Sequence, residues 1–121
     1  MDKEQALHSF WSGFSLPAYD ENTVKENQAL PYITYNVVTD SFGSNVAMSA
    51  SLWYRSASWA AITQKANDIA AYIGRDGRRL PYTDGVLWIK RGTPFAQRVS
   101  DENDTIRRIY LTIEAEYISA D

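Results

Sequence analysis

The sequence predicts an α+β fold: an antiparallel β-sheet of about four to five strands with two helices on one face, in the order α-β-β-α-β-β. Three observations lead there. Two segments carry apolar residues at helical spacing, two long segments alternate strictly between apolar and polar, and short turn-rich stretches separate them. A chain of 121 residues is one domain by size, large enough for one core and too small for two, so residues 1–121 are expected to fold as a single unit.

The first helix is marked by Leu7, Phe10, Trp11 and Phe14, which fall on one face at i, i+3, i+4 and i+7. Asp2 is placed to cap its start, with Gln5 in capping-box position, and Pro17 ends any continuation. Residues Ala18 to Ala29 are polar and aperiodic, which predicts a surface loop with room for a helical turn. Loops of that length often have a binding role.

Tyr32 to Thr39 is a β-branched and aromatic run that predicts a strand. Asp40-Ser41-Phe42-Gly43-Ser44-Asn45 supplies turn chemistry. A long strand follows, with Val46, Met48, Ala50, Leu52 and Tyr54 on one face and Ala47, Ser49, Ser51, Trp53 and Arg55 on the other. The two strands are expected to pair as an antiparallel hairpin. Ser58 is the expected cap of the second helix, whose stripe is Ile62, Ala66, Ile69, Ala70 and Ile73, with Gly74 as its left-handed stop. Lys65, Asn67 and Asp68 fall toward its polar side.

Arg75-Asp76-Gly77-Arg78-Arg79 reads as a charged connection, and Leu80-Pro81-Tyr82 as a short edge strand, because Pro81 cannot donate to a central ladder. Asp84-Gly85 is a hairpin-turn dipeptide leading into a strand over Val86–Arg91. Phe95–Val99 predicts a further short strand, and Asp101 to Asp104 an acidic turn. The last strand runs from Ile106 to Ile118. Ile109, Leu111, Ile113, Ala115 and Tyr117 form its apolar face, opposite Tyr110, Thr112, Glu114 and Glu116. Such clean alternation puts one face on the core and the other against water or a partner.

Composition narrows function. With 12 basic and 15 acidic residues the net charge is −3, so bulk attraction to nucleic acid is not expected, although a local basic patch is compatible with it. The absence of cysteine rules out disulfides, thiolate nucleophiles and cysteine-ligated metals, and fits a reducing cytoplasm. An acidic start without a long apolar run predicts neither a signal peptide nor a membrane span. Four Trp and eight Tyr are many for this length. Amphipathic aromatics serve small cores and are also enriched where proteins bury surface against partners.

No catalytic signature emerges. His8 stands alone beside the apolar stripe of the first helix and reads as a partly exposed helix histidine rather than a general base. Glu114 and Glu116 share a sheet face, as paired catalytic carboxylates would, but acids on an outer strand face ordinarily protect against edge pairing. Asp101-Glu102-Asn103-Asp104 lacks the spacing and glycine of a calcium loop. Gly74-Arg75-Asp76-Gly77 lacks the phosphate-loop spacing and lysine, and Ser49, Ser51 and Ser56 form no nucleophile elbow. We expect no enzyme, no cofactor and no metal. The basic cluster Arg75, Arg78 and Arg79, with Lys90 and Arg91 across the hairpin and Tyr82 or Trp88 for stacking, is the best nucleic-acid candidate. The same residues also read as a solvated or interface-forming loop.

Several segments, in this order, resemble one family. They are Leu16-Pro17-Ala18-Tyr19, Leu30-Pro31-Tyr32-Ile33-Thr34-Tyr35, Ser51-Leu52-Trp53-Tyr54-Arg55-Ser56, Gly85-Val86-Leu87-Trp88-Ile89, Thr93-Pro94-Phe95-Ala96-Gln97-Arg98 and Arg107-Arg108-Ile109-Tyr110-Leu111-Thr112-Ile113. Together they look like the tail-terminator (tail-completion, head–tail joining) proteins of long-tailed bacteriophages and prophages, over nearly the whole chain from Leu16 to Tyr117. Lys25 departs from the family pattern, where proline is usual.

The resemblance implies the same α+β architecture and a virion structural role without catalysis. It implies a homo-oligomeric ring, expected to be a hexamer, at the head-proximal end of the tail. There it would end tail-tube growth and join tail to head, in contact with the major tail protein and head connector proteins. Assembly in the host cytoplasm and residence in the virion tail follow, with no membrane partner. Trp53, Arg55, Arg78, Arg79, Trp88, Phe95 and Arg98 are the candidate oligomer or partner interface. Arg75, Arg78 and Arg79 are candidates to face a lumen that conducts phage DNA. Two alternatives are a neighbouring head–tail connector or minor capsid protein, and a small nucleic-acid- or ligand-binding α+β module.

Overall fold

The computed structural model describes residues 2–25, 28–38 and 45–119. Its elements are α1 (Lys3–Ser12), β1 (Ala18–Asp20), β2 (Tyr32–Tyr35), β3 (Asn45–Arg55), α2 (Ala60–Ile73), β4 (Arg78–Tyr82), β5 (Gly85–Val99) and β6 (Ile106–Ser119). The strands form one six-stranded sheet, curved into a half-barrel, in the order β1-β2-β3-β6-β5-β4.

The predicted alternation governs the packing. In β3, Met48, Ala50 and Leu52 lie against Ile113, Leu111 and Ile109 of β6, and Leu87 and Ile89 of β5 extend the same face. Ile33 and Tyr35 of β2 complete it. Over this face lie Leu7, Phe10 and Trp11 of α1 and Ile62, Ala66, Ile69 and Ile73 of α2, in one core. Phe10, Trp11, Phe14 and Tyr72 meet edge-on or tilted, the arrangement aromatic quadrupoles favour. Tyr117 also belongs to this face, and its hydroxyl donates to the Val38 carbonyl.

Both helix starts follow from short polar side chains. The Asp2 carboxylate accepts from Gln5 N–H at 2.8 Å while Gln5 Oε1 accepts from Asp2 N–H at 2.9 Å, the expected capping box. At α2 the cap position is Trp59, not Ser58. The Ser58 hydroxyl still accepts from Ala60 N–H at 3.0 Å, so its role survives one residue further out. Gly74 stops α2 at φ +75, and its N–H bonds the Ala70 carbonyl. Lys65 is not simply on a polar side: its ammonium donates to the Phe14 carbonyl at 2.7 Å, tying α2 to the end of α1.

Several expectations are corrected. Among the described residues there are six strands, not four to five, and the sheet is mixed rather than wholly antiparallel. The sixth is β1: Ala18–Asp20 leaves the predicted loop to pair in parallel with β2, Ile33 N–H bonding the Pro17 carbonyl and Glu21 N–H that of Tyr35. Strand β2 ends at Tyr35, short of the predicted Tyr32–Thr39, of which Thr39 lies outside the described residues. Asn36 N–H still bonds the Ser49 carbonyl at 3.0 Å, but its side-chain oxygen takes the place of a backbone carbonyl in accepting from Ser49 N–H at 2.8 Å. The β2–β3 hairpin pairs as expected. Of its predicted turn, residues 40–44 lie outside the described residues.

Arg78 and Arg79 belong to β4 rather than to the connection before it, which extends the edge strand past Leu80–Tyr82. In the following hairpin the two turn residues are Thr83 and Asp84, since Gly85 already pairs with Tyr82. Val86–Arg91 and Phe95–Val99 are not separate strands but one, β5, broken in register between Arg91 and Ala96.

Candidate interaction surfaces

Covering one face of the sheet with helices leaves the other face to the polar half of each alternation, and there the aromatic and cationic residues gather. Tyr32, Trp53 and Arg108 are successive register partners across β2, β3 and β6. Tyr19 of β1 meets Tyr32 edge-on at 5.9 Å, and Tyr32 meets Trp53 tilted at 6.3 Å. The Arg108 guanidinium lies 4.6 Å from the Trp53 ring and 6.0 Å from the Tyr110 ring. The row is pinned by hydrogen bonds. Trp53 Nε1 donates to Thr34 Oγ1 at 2.9 Å, and Arg108 Nε donates to Ser51 Oγ at 3.1 Å. Burial, reinforced by Tyr19, pushes the Tyr32 hydroxyl above its ordinary pKa, so this ring stays neutral in the physiological range.

A second group forms at the β4–β5 end of the same face. Arg79 pairs in register with Trp88 and lies 5.6 Å from its ring, while the Lys90 ammonium sits 4.6 Å from it. Trp88 Nε1 donates to the Asp76 carbonyl at 3.0 Å. A backbone this close to the indole requires Gly77, at φ +84, where a Cβ would come within 2.6 Å of Ile89 O and Trp88 Nε1. Arg75, Trp88, Lys90, Arg91, Phe95 and Glu114 line an open recess there.

The third group lies on the helix side, at the far end of β5. Trp59 is flanked by the guanidinium groups of Arg98 at 4.8 Å and Arg107 at 5.3 Å, and Arg107 also donates to the Ala57 carbonyl at 2.9 Å. Each exposed cation–ring contact is worth about 0.5–1 kcal/mol.

The predicted interface residues therefore do not form one patch. Trp53 and Arg55 lie on β3, where the exposed Arg55 donates to Thr105 Oγ1 at 3.1 Å. Arg79, Trp88, Phe95 and Arg75 meet at the β4–β5 end. Arg98 is in the third group. Arg78 is separated from Arg79 by strand alternation and turns to the helix side, over Tyr72. The trio Arg75, Arg78 and Arg79 is thus divided between two faces.

Residue type and spacing alone do not single out Tyr19, Tyr32, Tyr110, Arg107 and Arg108 as interaction residues. Alternation placed Tyr110 on the outer face, but cross-strand neighbours depend on pairing that no local pattern states. His8, exposed as expected, is engaged on both nitrogens: Nδ1 lies 2.9 Å from the Tyr35 hydroxyl and Nε2 3.3 Å from Ser12 Oγ. Among the described residues, no group of three or more histidine, aspartate or glutamate side chains is placed to hold a metal ion, and no helix is long and apolar enough to cross a membrane.

No known protein-family profile matches the chain, and no curated protein does. Among solved structures, it is similar to a chain of the virion of a native gene transfer agent (GTA) particle. That match has a TM-score of 0.59 at 20% identity and covers 94% of this chain and 90% of the other. The two chains share a fold. At that identity the likeness is one of fold, over most of both chains.

Proposed function

We propose that this chain is a structural protein of a phage or phage-derived virion that assembles as a ring, six copies by family resemblance, at the head-proximal end of the tail. There it ends growth of the tail tube and joins tail to head, without catalysis. Its partners are further copies of itself, the major tail protein and the head connector proteins. It assembles in the host cytoplasm and remains in the virion.

The observation that carries this reading is the fold likeness to a virion chain over most of both chains. The tail-terminator resemblance of the sequence supplies the finer assignment. The surface chemistry agrees with both. Three aromatic–cationic groups are spread over two faces and an edge, which suits a protein that contacts several neighbours at once. If a lumen carries DNA, Arg75 and Arg79 are the better candidates to face it, because Arg78 is committed to the end of α2.

Quantitative mass spectrometry of density-purified particles tests the proposal. A few copies per particle, far below the major tail protein, is the expected result, with cryo-microscopy locating the density at the tail's upper end. Density within the head portal would favour the head–tail connector instead. Absence from infectious particles would overturn the virion role.

A further inference from the structure

The pairing register brings the two edges of the sheet to the same height. Ala18 of β1 is level, strand by strand, with Ile33, Leu52, Ile109 and Arg98. Tyr19 is level in the same way with Thr34, Ser51, Tyr110 and Gln97. At this height β4 is absent, because it pairs with β5 only over Gly85–Ile89. The sheet here begins at β1 and ends at the stretch of β5 around Gln97. Ala96, Gln97 and Arg98 are exposed although they lie within a strand. Such an edge invites another strand.

The two edges differ in charge. Beside β1 lie Asp20 and Glu21, and Glu4 is close enough that it and Asp20 both act on the Tyr35 hydroxyl. On the β5 edge are Arg98 and, before the register break, Arg91, both exposed. The acids Asp101 and Glu102 come after the strand has ended.

We infer that β5 around Gln97 pairs with β1 of a second copy, joining copies head to tail into a continuous sheet. Strand direction fits. β1 runs parallel to β2, and each later step through β3, β6 and β5 is antiparallel, so β5 runs opposite to β1. Copies related by rotation about an axis along the strands therefore meet as an antiparallel pair. Side-chain parity fits as well. Gln97 and Tyr19 both face the helix-free side, and Arg98 and Asp20 both face the helix side, placing Arg98 opposite or diagonal to Asp20 of the partner subunit. The contact uses two different edges, so it propagates around a ring instead of closing as a dimer.

This inference adds a specific joint to the ring reading but does not need the virion role to be true. The chain has no cysteine, so Glu21→Cys and Gln97→Cys can be introduced singly and together and treated with a short bismaleimide. Within one copy the two sites are four strand spacings apart along the sheet, about 19 Å, and any link inside one copy would leave a monomer, so it adds no band to the ladder. The expected result is a ladder of linked copies from the double variant, and dimers when the two single variants are co-expressed. Each single variant alone should give none.

Self-linking of Gln97→Cys alone would mean a two-fold β5–β5 contact and would overturn the inference. Absence of links both in concentrated purified protein and in particles would also overturn it. Unlinked chain in infectious particles would defeat the joint and leave the virion role intact. Linked purified protein that never enters particles would do the reverse.

Discussion

Arg78 closes the end of α2 through Tyr72: its Nε and a terminal nitrogen donate to the Tyr72 carbonyl at 3.0 and 2.7 Å, and its guanidinium lies 4.1 Å from the Tyr72 ring. One side chain from an edge strand thus meets a carbonyl that the helix leaves unpaired, puts positive charge at the negative end of its dipole, and covers an exposed ring. Arg78→Ala should destabilise the protein by about 1–2 kcal/mol in denaturant titrations. Arg78→Lys should recover part of the loss, since lysine keeps the charge but not the fork. An unchanged midpoint for Arg78→Ala would count against this role.

Asp2 anchors the other helix. Its side-chain bond to Gln5 is exposed, so Asp2→Ala should cost only about 1 kcal/mol. Asp2→Asn and Asp2→Ser should be nearly neutral. A series in which asparagine behaves like alanine would show that the capping oxygen is not what matters.

The glycines separate strain from collision. At Gly74 a Cβ would meet nothing nearer than 3.9 Å, so Gly74→Ala suffers only the backbone strain of φ +75 with ψ 175, a region nearly reserved to glycine, and should lose about 1–2 kcal/mol. At Gly77 the added carbon also meets Ile89 O and Trp88 Nε1 at 2.6 Å, so Gly77→Ala should lose about 2–3 kcal/mol and shift the Trp88 environment. Thermal unfolding of the two variants side by side checks the order.

Alkaline pH should weaken the fold. Burial is the first cause that raises the hydroxyl pKa values of Tyr32, Tyr35 and Tyr54 above the ordinary 10.0. Near-neighbour Asp68 adds to it at Tyr54. The unfolded chain therefore loses these protons first. The stabilisation is complete below a pH of about 10 and is lost as pH rises through the folded-state values. Urea midpoints should fall across that interval, and Tyr54→Phe should flatten the fall. A midpoint that stays level while tyrosinate absorbance grows would refute the linkage.

The core was legible because alternation and helical spacing are local. Met48, Ala50 and Leu52, and Ile109 through Tyr117, could be assigned to one face without knowing their partners. β1 was not legible, because Ala18-Tyr19-Asp20 is too short for any period and becomes a strand only when β2 lies beside it. The continuity of β5 was hidden for a different reason. Before the break Ile89 faces the core opposite Ala115, an odd-numbered position. After it, Arg98 takes the helix side opposite Ile109, an even-numbered one. Parity reverses, so one strand reads as two. The surface groups were half visible. Trp53, Trp88 and Arg79 stood out by residue type, whereas Arg108 beneath Trp53 and the separation of Arg78 from Arg79 depend on cross-strand register.

The distribution of indoles gives the molecule its own optical readout. Trp11 is 1% exposed and sits in the core, so its emission should follow unfolding. Trp53, Trp59 and Trp88 are each half-covered by a neighbouring cation, on the helix-free face, beside the β5 edge and at the β4–β5 end respectively. A set of variants that each retain one tryptophan, with phenylalanine at the other positions, would report separately, without an attached dye, when each surface is engaged during assembly.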